Sequence, residues 1–142
     1  MAYTYAHPHM AVTVDAVVFG EGLDGREVLL IRRARDPFKD RWALPGGYVD
    51  IDETVAAAAR RELSEEAGLD VPDLAFLGYF DAVDRDPRER TLSLAFTGRV
   101  DRDQARIKAG DDAAEARWFP VSALPELAFD HGVIIERAIK AG

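Results

Sequence analysis

A helix-forming segment in the middle of the chain, with β-rich segments before and after it, is the feature that most restricts the fold. Residues 53–67 carry apolar side chains at helical spacing, and Gly68 follows in a position typical of a helix end. A second helix is predicted over residues 130–141, where Asp130 can cap the first turn. Strands are predicted over residues 11–20, 27–33, 74–83, 91–100 and 115–121. This order favours an α/β/α sandwich, in which helices cover both faces of a central mixed sheet.

The remaining organisation is simple. The first two strands are predicted to pair as a hairpin through the glycine-containing turn Gly20–Gly25. The chain of 142 residues, 48% of them apolar, fits a single domain over residues 1–142. No apolar run approaches the roughly 18 residues of a membrane-spanning helix. The amino terminus lacks the charged flank and apolar centre of a secretory signal, so we expect a cytoplasmic protein without a membrane partner.

Composition excludes several kinds of chemistry. With no cysteine, the chain has no disulfide, no thiolate metal site and no cysteine nucleophile. A net charge of −8 argues against a nucleic-acid partner, because such proteins usually present a basic face. A small phosphorylated ligand is compatible with this charge if a divalent cation offsets the carboxylates and the phosphates.

The central helix is predicted to carry an acidic ridge. Its buried stripe is predicted to consist of Val55, Ala56, Ala59, Leu63 and Ala67. Glu62, Glu65 and Glu66 lie along the edge of that stripe, since residues three and four apart are neighbours on a helix. Their mutual repulsion is removed by a hard cation such as Mg²⁺, which prefers oxygen ligands. For such a cluster taken alone, the alternative is a solvated face balanced by the neighbouring arginines.

The segment GYVDIDETVAAAARRELSEEAGL (47–69) resembles the signature of the Nudix hydrolases. That signature is a glycine, five residues, a glutamate, seven residues and then Arg-Glu-apolar-x-Glu-Glu-x-Gly-apolar. Every fixed position matches, namely Gly47, Glu53, Arg61, Glu62, Leu63, Glu65, Glu66, Gly68 and Leu69. The predicted order of strands and helices also agrees with the Nudix fold, so the resemblance extends over nearly the whole chain.

The resemblance implies hydrolysis of a diphosphate bond with Mg²⁺ or Mn²⁺ as cofactor. The metal ligands would be Glu62, Glu65, Glu66 and the carbonyl oxygen of Gly46. Glu53 and Arg61 would act as supporting catalytic residues. For Glu53, simple stabilisation of the helix start is an equal alternative.

The general base is left open at this point. In the family it is either a glutamate of the signature, here Glu65, or an acidic residue of a later loop. The later candidates are Asp111, Asp112 and Glu115 in residues 109–119. An ordinary polar turn before a strand is the alternative for that stretch.

Three further segments, residues 32–53, 84–96 and 127–131, resemble ADP-ribose pyrophosphatases. They favour cleavage of ADP-ribose to AMP and ribose 5-phosphate. The same resemblance implies a homodimer. The predicted substrate-binding residues are Arg33, Phe38, Trp42, Arg85, Arg88 and Arg90, with Phe80 as a further aromatic candidate. The arginines suit a phosphate or ribose edge and the aromatic rings suit adenine. Solvated charges and core aromatics are the alternatives, and His131 is interpreted as a cap or packing residue.

Two other functions are compatible with the resemblance. One is a regulator that senses ADP-ribose without cleaving it, against which the complete glutamate set and the end of the chain at Gly142 argue. The other is a housecleaning pyrophosphatase that acts on oxidised or non-standard nucleoside triphosphates.

Overall fold

A mixed β-sheet with one helix on each face forms the structure, a computed structural model that describes residues 2–22 and 25–142. The elements in chain order are β1 (Ala11–Gly22), β2 (Gly25–Arg33), β3 (Trp42–Ala43), β4 (Gly46–Tyr48), α1 (Val55–Ala67), β5 (Ala75–Phe80), β6 (Thr91–Val100), β7 (Ala113–Pro120) and α2 (His131–Ala141). Among these described residues, no helix has the length and apolar character needed to cross a membrane.

Strand β1 lies at the centre of the sheet. It pairs in parallel with β6 and antiparallel with β2 and β4. Strand β2 also pairs with β3 and β7, and β6 pairs with β5. The parallel pair makes the sheet mixed, as predicted.

Alternation along β1 divides the core between the two faces, since successive strand residues point to opposite sides. Val18 packs in the cluster that contains Leu63 of α1. Its neighbour Val17 packs in the cluster that contains Ile134 of α2. All four side chains are fully buried, and the α/β/α sandwich is confirmed.

Helix α1 begins at Val55, two residues later than predicted. The Thr54 side chain accepts a hydrogen bond from the Ala57 N–H and caps the helix, so Glu53 lies outside it. Gly68 ends the helix with φ 70°, as predicted.

The buried face of α1 differs from the predicted stripe. Ala56 is exposed, whereas Ala58 and Glu66 are buried. The helix packs against β4 as well as β1, which turns its buried face towards Glu66. The predicted ridge is therefore divided, with Glu66 in the interior and Glu65 exposed.

Helix α2 follows Asp130, but the predicted cap is wrong. The Asp130 side chain makes no capping hydrogen bond, because both of its oxygens accept hydrogen bonds from Arg85. Tertiary pairing with a distant arginine has replaced the local cap.

The strand boundaries show smaller differences. The β1–β2 hairpin is confirmed, but its strands reach Gly22 and Gly25, so the turn is shorter than predicted; residues 23 and 24 lie outside the described residues. The strand predicted over residues 74–83 is limited to β5. The short strands β3 and β4 are not among the five predicted strands, and β4 consists of Gly46, Gly47 and Tyr48.

Candidate active site

A polar cleft of about 460 Å³ lies beside α1, β4 and the loops that precede β3 and β7. Its lining includes Glu62, Glu65, Glu66, Asp111, Asp112, Arg33, Arg35, Arg88, Gly46, Gly47 and Tyr48. We call it the acidic cleft. An adjoining inner pocket of about 50 Å³ shares Arg33, Arg88, Gly46 and Gly47 with it.

Glu66 is the most buried glutamate of the signature, with 7% exposure. Burial raises its pKa to about 8, opposed by a hydrogen bond from the Gly46 N–H and reinforced by the charge of Glu62. The N–H of Gly46 lies 2.7 Å from Glu66 Oε1. A buried carboxylate of this kind is stabilised by a cation in contact with it.

Two glycines allow β4 to lie close to its neighbours. A Cβ atom on Gly46 would lie 2.1 Å from the carbonyl oxygen of Val14 in β1. A Cβ atom on Gly47 would lie 2.6 Å from Glu62 Oε1. The half-buried Glu62 therefore rests directly against the backbone, and its pKa is raised chiefly by burial.

Arg61 connects the glutamates of the signature. Its Nη1 donates to Glu62 at 2.9 Å and to Glu65 at 3.1 Å, while its Nε donates to Glu53 at 3.0 Å. Its Nη2 also donates to the Tyr48 carbonyl at 3.1 Å. Glu53 accepts from the Asp50 N–H as well, so it joins the turn before α1 to Arg61.

The donor set fits a hard divalent cation, although the side chains are not gathered around one point. Within residues 2–22 and 25–142, no three histidine or carboxylate side chains converge closely enough to hold a metal ion. Glu62 and Glu65 instead engage Arg61. All the donors are oxygens beside an open cleft, as Mg²⁺ and Mn²⁺ prefer. Binding would require Glu62 and Glu65 to turn from Arg61 towards Glu66.

Arg33 and Arg88 bring positive charge to the same cleft. The Arg33 guanidinium lies 5.0 Å from the centre of the Phe129 ring. Arg88 lies between Tyr48 and Phe129, at 5.5 and 5.7 Å from their ring centres. Asp86, itself buried, accepts from Arg88 Nη2 at 2.8 Å and fixes its position.

The other predicted arginines are placed differently. Arg85 lines the inner pocket, but its side chain is only 3% exposed and pairs with Asp130 at 2.6 Å. Arg90 donates to the Asp81 carbonyl at 3.3 Å and lines neither cavity in the described part of the chain. The predicted arginines of residues 84–96, Arg85, Arg88 and Arg90, are therefore not assembled as one group.

The predicted aromatic residues pack elsewhere. The Phe38 ring lies 4.8 Å from Phe129 and the Trp42 ring 4.7 Å from Phe119, while Phe80 is a core residue. As far as the chain is described, none of these three lines the acidic cleft or the inner pocket. Two residues not predicted from the sequence do so instead, since Tyr48 lines the acidic cleft and Phe129 lines the inner pocket. Their positions in the sequence could have indicated this, because Tyr48 follows Gly47 directly and Phe129 lies within residues 127–131.

The candidate bases are also separated. Asp111 and Asp112 line the acidic cleft, and Asp112 pairs with Arg35 at 3.2 Å. Glu115 lies on β7 and pairs with Arg32 at 3.5 Å and Arg117 at 3.8 Å. Glu115 does not line the cleft formed by the described residues.

Comparison with known proteins agrees with this geometry. The profile of the NUDIX domain matches residues 9–138. The chain is 44% identical over 132 residues to an ADP-ribose pyrophosphatase from Methanocaldococcus jannaschii, covering 93% of this chain and 73% of that protein. It is 32% identical to the ADPR responsive transcriptional repressor NtrR from Acinetobacter baylyi, covering 93% of this chain and 54% of the repressor, about half its length.

A solved structure gives the same result. The NUDIX domain of Shewanella oneidensis NrtR, cocrystallised with ADP ribose, matches with a TM-score of 0.90 at 28% identity. The match covers 96% of this chain and 90% of that one. Profile, fold and glutamate signature all agree, and Nudix hydrolases generally use divalent metal ions. The chain therefore belongs to the Nudix family and is a Nudix hydrolase similar to ADP-ribose pyrophosphatases.

Proposed function

We propose that this Nudix hydrolase cleaves ADP-ribose to AMP and ribose 5-phosphate with Mg²⁺, or with Mn²⁺ in its place. One observation carries the proposal: a single cleft holds the glutamates of α1 together with Arg33 and Arg88. Carboxylates for a cation and guanidinium groups for phosphate oxygens are the two requirements of diphosphate binding. The 44% identical ADP-ribose pyrophosphatase and the NrtR domain bound to ADP ribose support this substrate.

The cation would be held by the carboxylates of Glu62, Glu65 and Glu66 and by the carbonyl of Gly46. When bound, it supplies a lowered pKa for a coordinated water and offsets phosphate charge. Arg61 pairs with the two more exposed glutamates and would stay beside them when they turn towards the cation, because Glu53 holds it in place.

Arg33 and Arg88 would bind the phosphate oxygens. A guanidinium group presents several donors in a fixed plane, which suits phosphate, and Asp86 already holds Arg88 at the cleft. Tyr48 is 43% exposed and lines the cleft, so its ring is available to stack on adenine. Arg85 would contribute to substrate binding from within the inner pocket, where its side chain is paired with Asp130.

We assign the general base to Asp111. It lines the cleft, whereas Glu115 lies outside the described lining. Asp112 is engaged by Arg35 and Glu65 by Arg61. Asp111 would accept the proton of the attacking water as its oxygen bonds to one phosphorus, while the bridging P–O bond of the diphosphate breaks and the other phosphate leaves.

A sensor that binds ADP-ribose without cleaving it is the second candidate. The similarity to the ADPR responsive repressor favours it, although that relative is matched over only 54% of its length. The complete set of signature glutamates favours the enzyme.

A substrate panel tests the proposal. We expect the highest kcat/KM for ADP-ribose when it is compared, in the presence of Mg²⁺, with NADH, diadenosine polyphosphates, sugar nucleotides and nucleoside triphosphates. Preferred release of pyrophosphate from triphosphates would indicate a housecleaning pyrophosphatase instead. Tight binding of ADP-ribose without turnover would support the sensor.

A further inference from the structure

A buried polar network lies beneath the Gly46 segment, and the proposed chemistry does not use it. Asp15 of β1, Ser93 of β6 and His131 of α2 are 6%, 0% and 4% exposed. Ser93 donates a short hydrogen bond to one carboxylate oxygen of Asp15, and His131 Nε2 lies 3.3 Å from the other. Three elements thus contribute polar groups to one buried point that borders the inner pocket.

Hydrogen bonding fixes the orientation of the His131 ring. Its Nδ1 accepts from the Leu44 N–H at 3.0 Å, so the ring N–H is on Nε2, which faces Asp15. The Asp15 carboxylate accepts from this Nε2 and so keeps Nδ1 turned towards Leu44.

The network is joined to the metal site through the backbone from Leu44 to Gly46. His131 holds this segment at Leu44. At the other end, the Gly46 N–H donates to Glu66 at 2.7 Å, and Gly46 pairs with Asp15 between β4 and β1. A Cβ atom on Gly46 would lie 2.7 Å from Asp15 Oδ1, so the carboxylate also limits the space for this backbone.

We propose that Asp15 and His131 are positioning residues for the cation site, which set the places of the Gly46 carbonyl and the Glu66 carboxylate. The inference rests on the proposed function, because it requires these two groups to bind a divalent cation. Residues that orient metal ligands commonly change metal affinity about 10–100-fold when they are replaced. A purely structural network would instead affect only stability.

A titration of the intact chain with Mn²⁺ distinguishes a positioning role from a purely structural one. Free Mn²⁺ is measured by its EPR signal, at a temperature well below unfolding. We expect His131→Leu, which leaves the buried Leu44 N–H without its acceptor, to weaken Mn²⁺ binding about tenfold or more. His131→Asn, whose amide oxygen can accept from Leu44, should recover most of the affinity. The matched control is Ile135→Val, a core change on the same helix that should lower the thermal midpoint and leave Mn²⁺ affinity unchanged.

Wild-type affinity in folded His131→Leu would overturn the positioning role. If that variant does not fold, Ser93→Ala applies the same test without changing charge, because Asp15 loses a donor. We expect about tenfold weaker Mn²⁺ binding there, the lower end of the range for residues that orient metal ligands, and unchanged affinity would contradict the inference. Failure of the proposed function gives a different result, in which the wild-type chain binds no Mn²⁺ or Glu66→Gln binds it equally well.

Discussion

Burial of the Glu66 carboxyl group disfavours its charged form, and this has a measurable effect on the stability of the chain. Its pKa rises from 4.5 to about 8 in the folded chain. A carboxyl group whose folded pKa is raised gives stability that is fully present below about pH 4.5 and is lost as the pH rises to about 8. Glu66→Gln removes the ionisation and keeps an acceptor for the Gly46 N–H.

We therefore predict that, in excess EDTA, Glu66→Gln is more stable than the wild-type chain at pH 9 by a few kcal/mol, on the scale of about 1.4 kcal/mol per pKa unit. The advantage should disappear near pH 4. Urea unfolding at the two pH values measures it. The exposed Glu136 gives the control, since Glu136→Gln should show no such dependence. Equal stabilities of the wild type and Glu66→Gln at pH 9 would contradict the account of Glu66.

The assignment of Asp111 as base predicts a selective loss of turnover. Asp111→Asn should lower kcat on ADP-ribose about 10²–10⁴-fold, the usual contribution of a general base. Circular dichroism should show an unchanged fold, because Asp111 is exposed. Glu115→Gln is the matched control and should retain activity. The reverse result, with loss only in Glu115→Gln, would move the base to β7.

At the level of single residues, the sequence predicted the signature glutamates better than the residues that surround them. The spacing of Glu62, Glu65 and Glu66 is a local property of a helix, and the structure places all three in one cleft. Tyr48 and Phe129 were missed because only tertiary folding brings both rings, 81 positions apart in sequence, beside Arg88. No local pattern shows which aromatic ring will face a cleft and which will enter the core.

Strand β4 is the element on which the site depends most directly. Gly46→Ala would place a Cβ atom 2.1 Å from the Val14 carbonyl, so β4 must move away from β1. We predict a loss of about 1–3 kcal/mol of stability, the range for forced overpacking, together with weaker Mn²⁺ binding. Thermal unfolding and Mn²⁺ titration measure the two effects.

Gly132 offers the control for this substitution. A Cβ atom there lies 3.7 Å from Leu127, an ordinary contact distance, and Gly132 lies within α2. Gly132→Ala should therefore leave Mn²⁺ binding unchanged and keep or raise stability, because alanine favours a helix. Equal behaviour of the two alanine variants would show that β4 does not need its close contact with β1.

Prediction of the elements failed where tertiary contacts decided the outcome. The long strands and both helices follow from hydrophobic periodicity, whereas β3 and β4 contain only two and three residues, too few for a period to show. Asp130 has the local chemistry of a cap but pairs with Arg85, which is 45 positions away.

In the whole molecule, the two faces of the sheet differ in what they support. The face covered by α2 carries a core cluster that includes Ile134 and Ile135, while the other face supports α1 and its glutamates. This arrangement was predictable from the order of the elements, since the two helical segments must each bury an apolar stripe. A homodimer stays a prediction, because sequence periodicity does not specify which surfaces meet.

The most direct test of the account is the yield of AMP and ribose 5-phosphate from ADP-ribose, measured by chromatography with Mg²⁺, with excess EDTA, and with Mg²⁺ restored. We expect both products in equal amounts with Mg²⁺, no product above background in EDTA, recovery when Mg²⁺ is restored, and a rate lower by orders of magnitude in Glu66→Gln. Unchanged rates in excess EDTA, or full activity in Glu66→Gln, would contradict it.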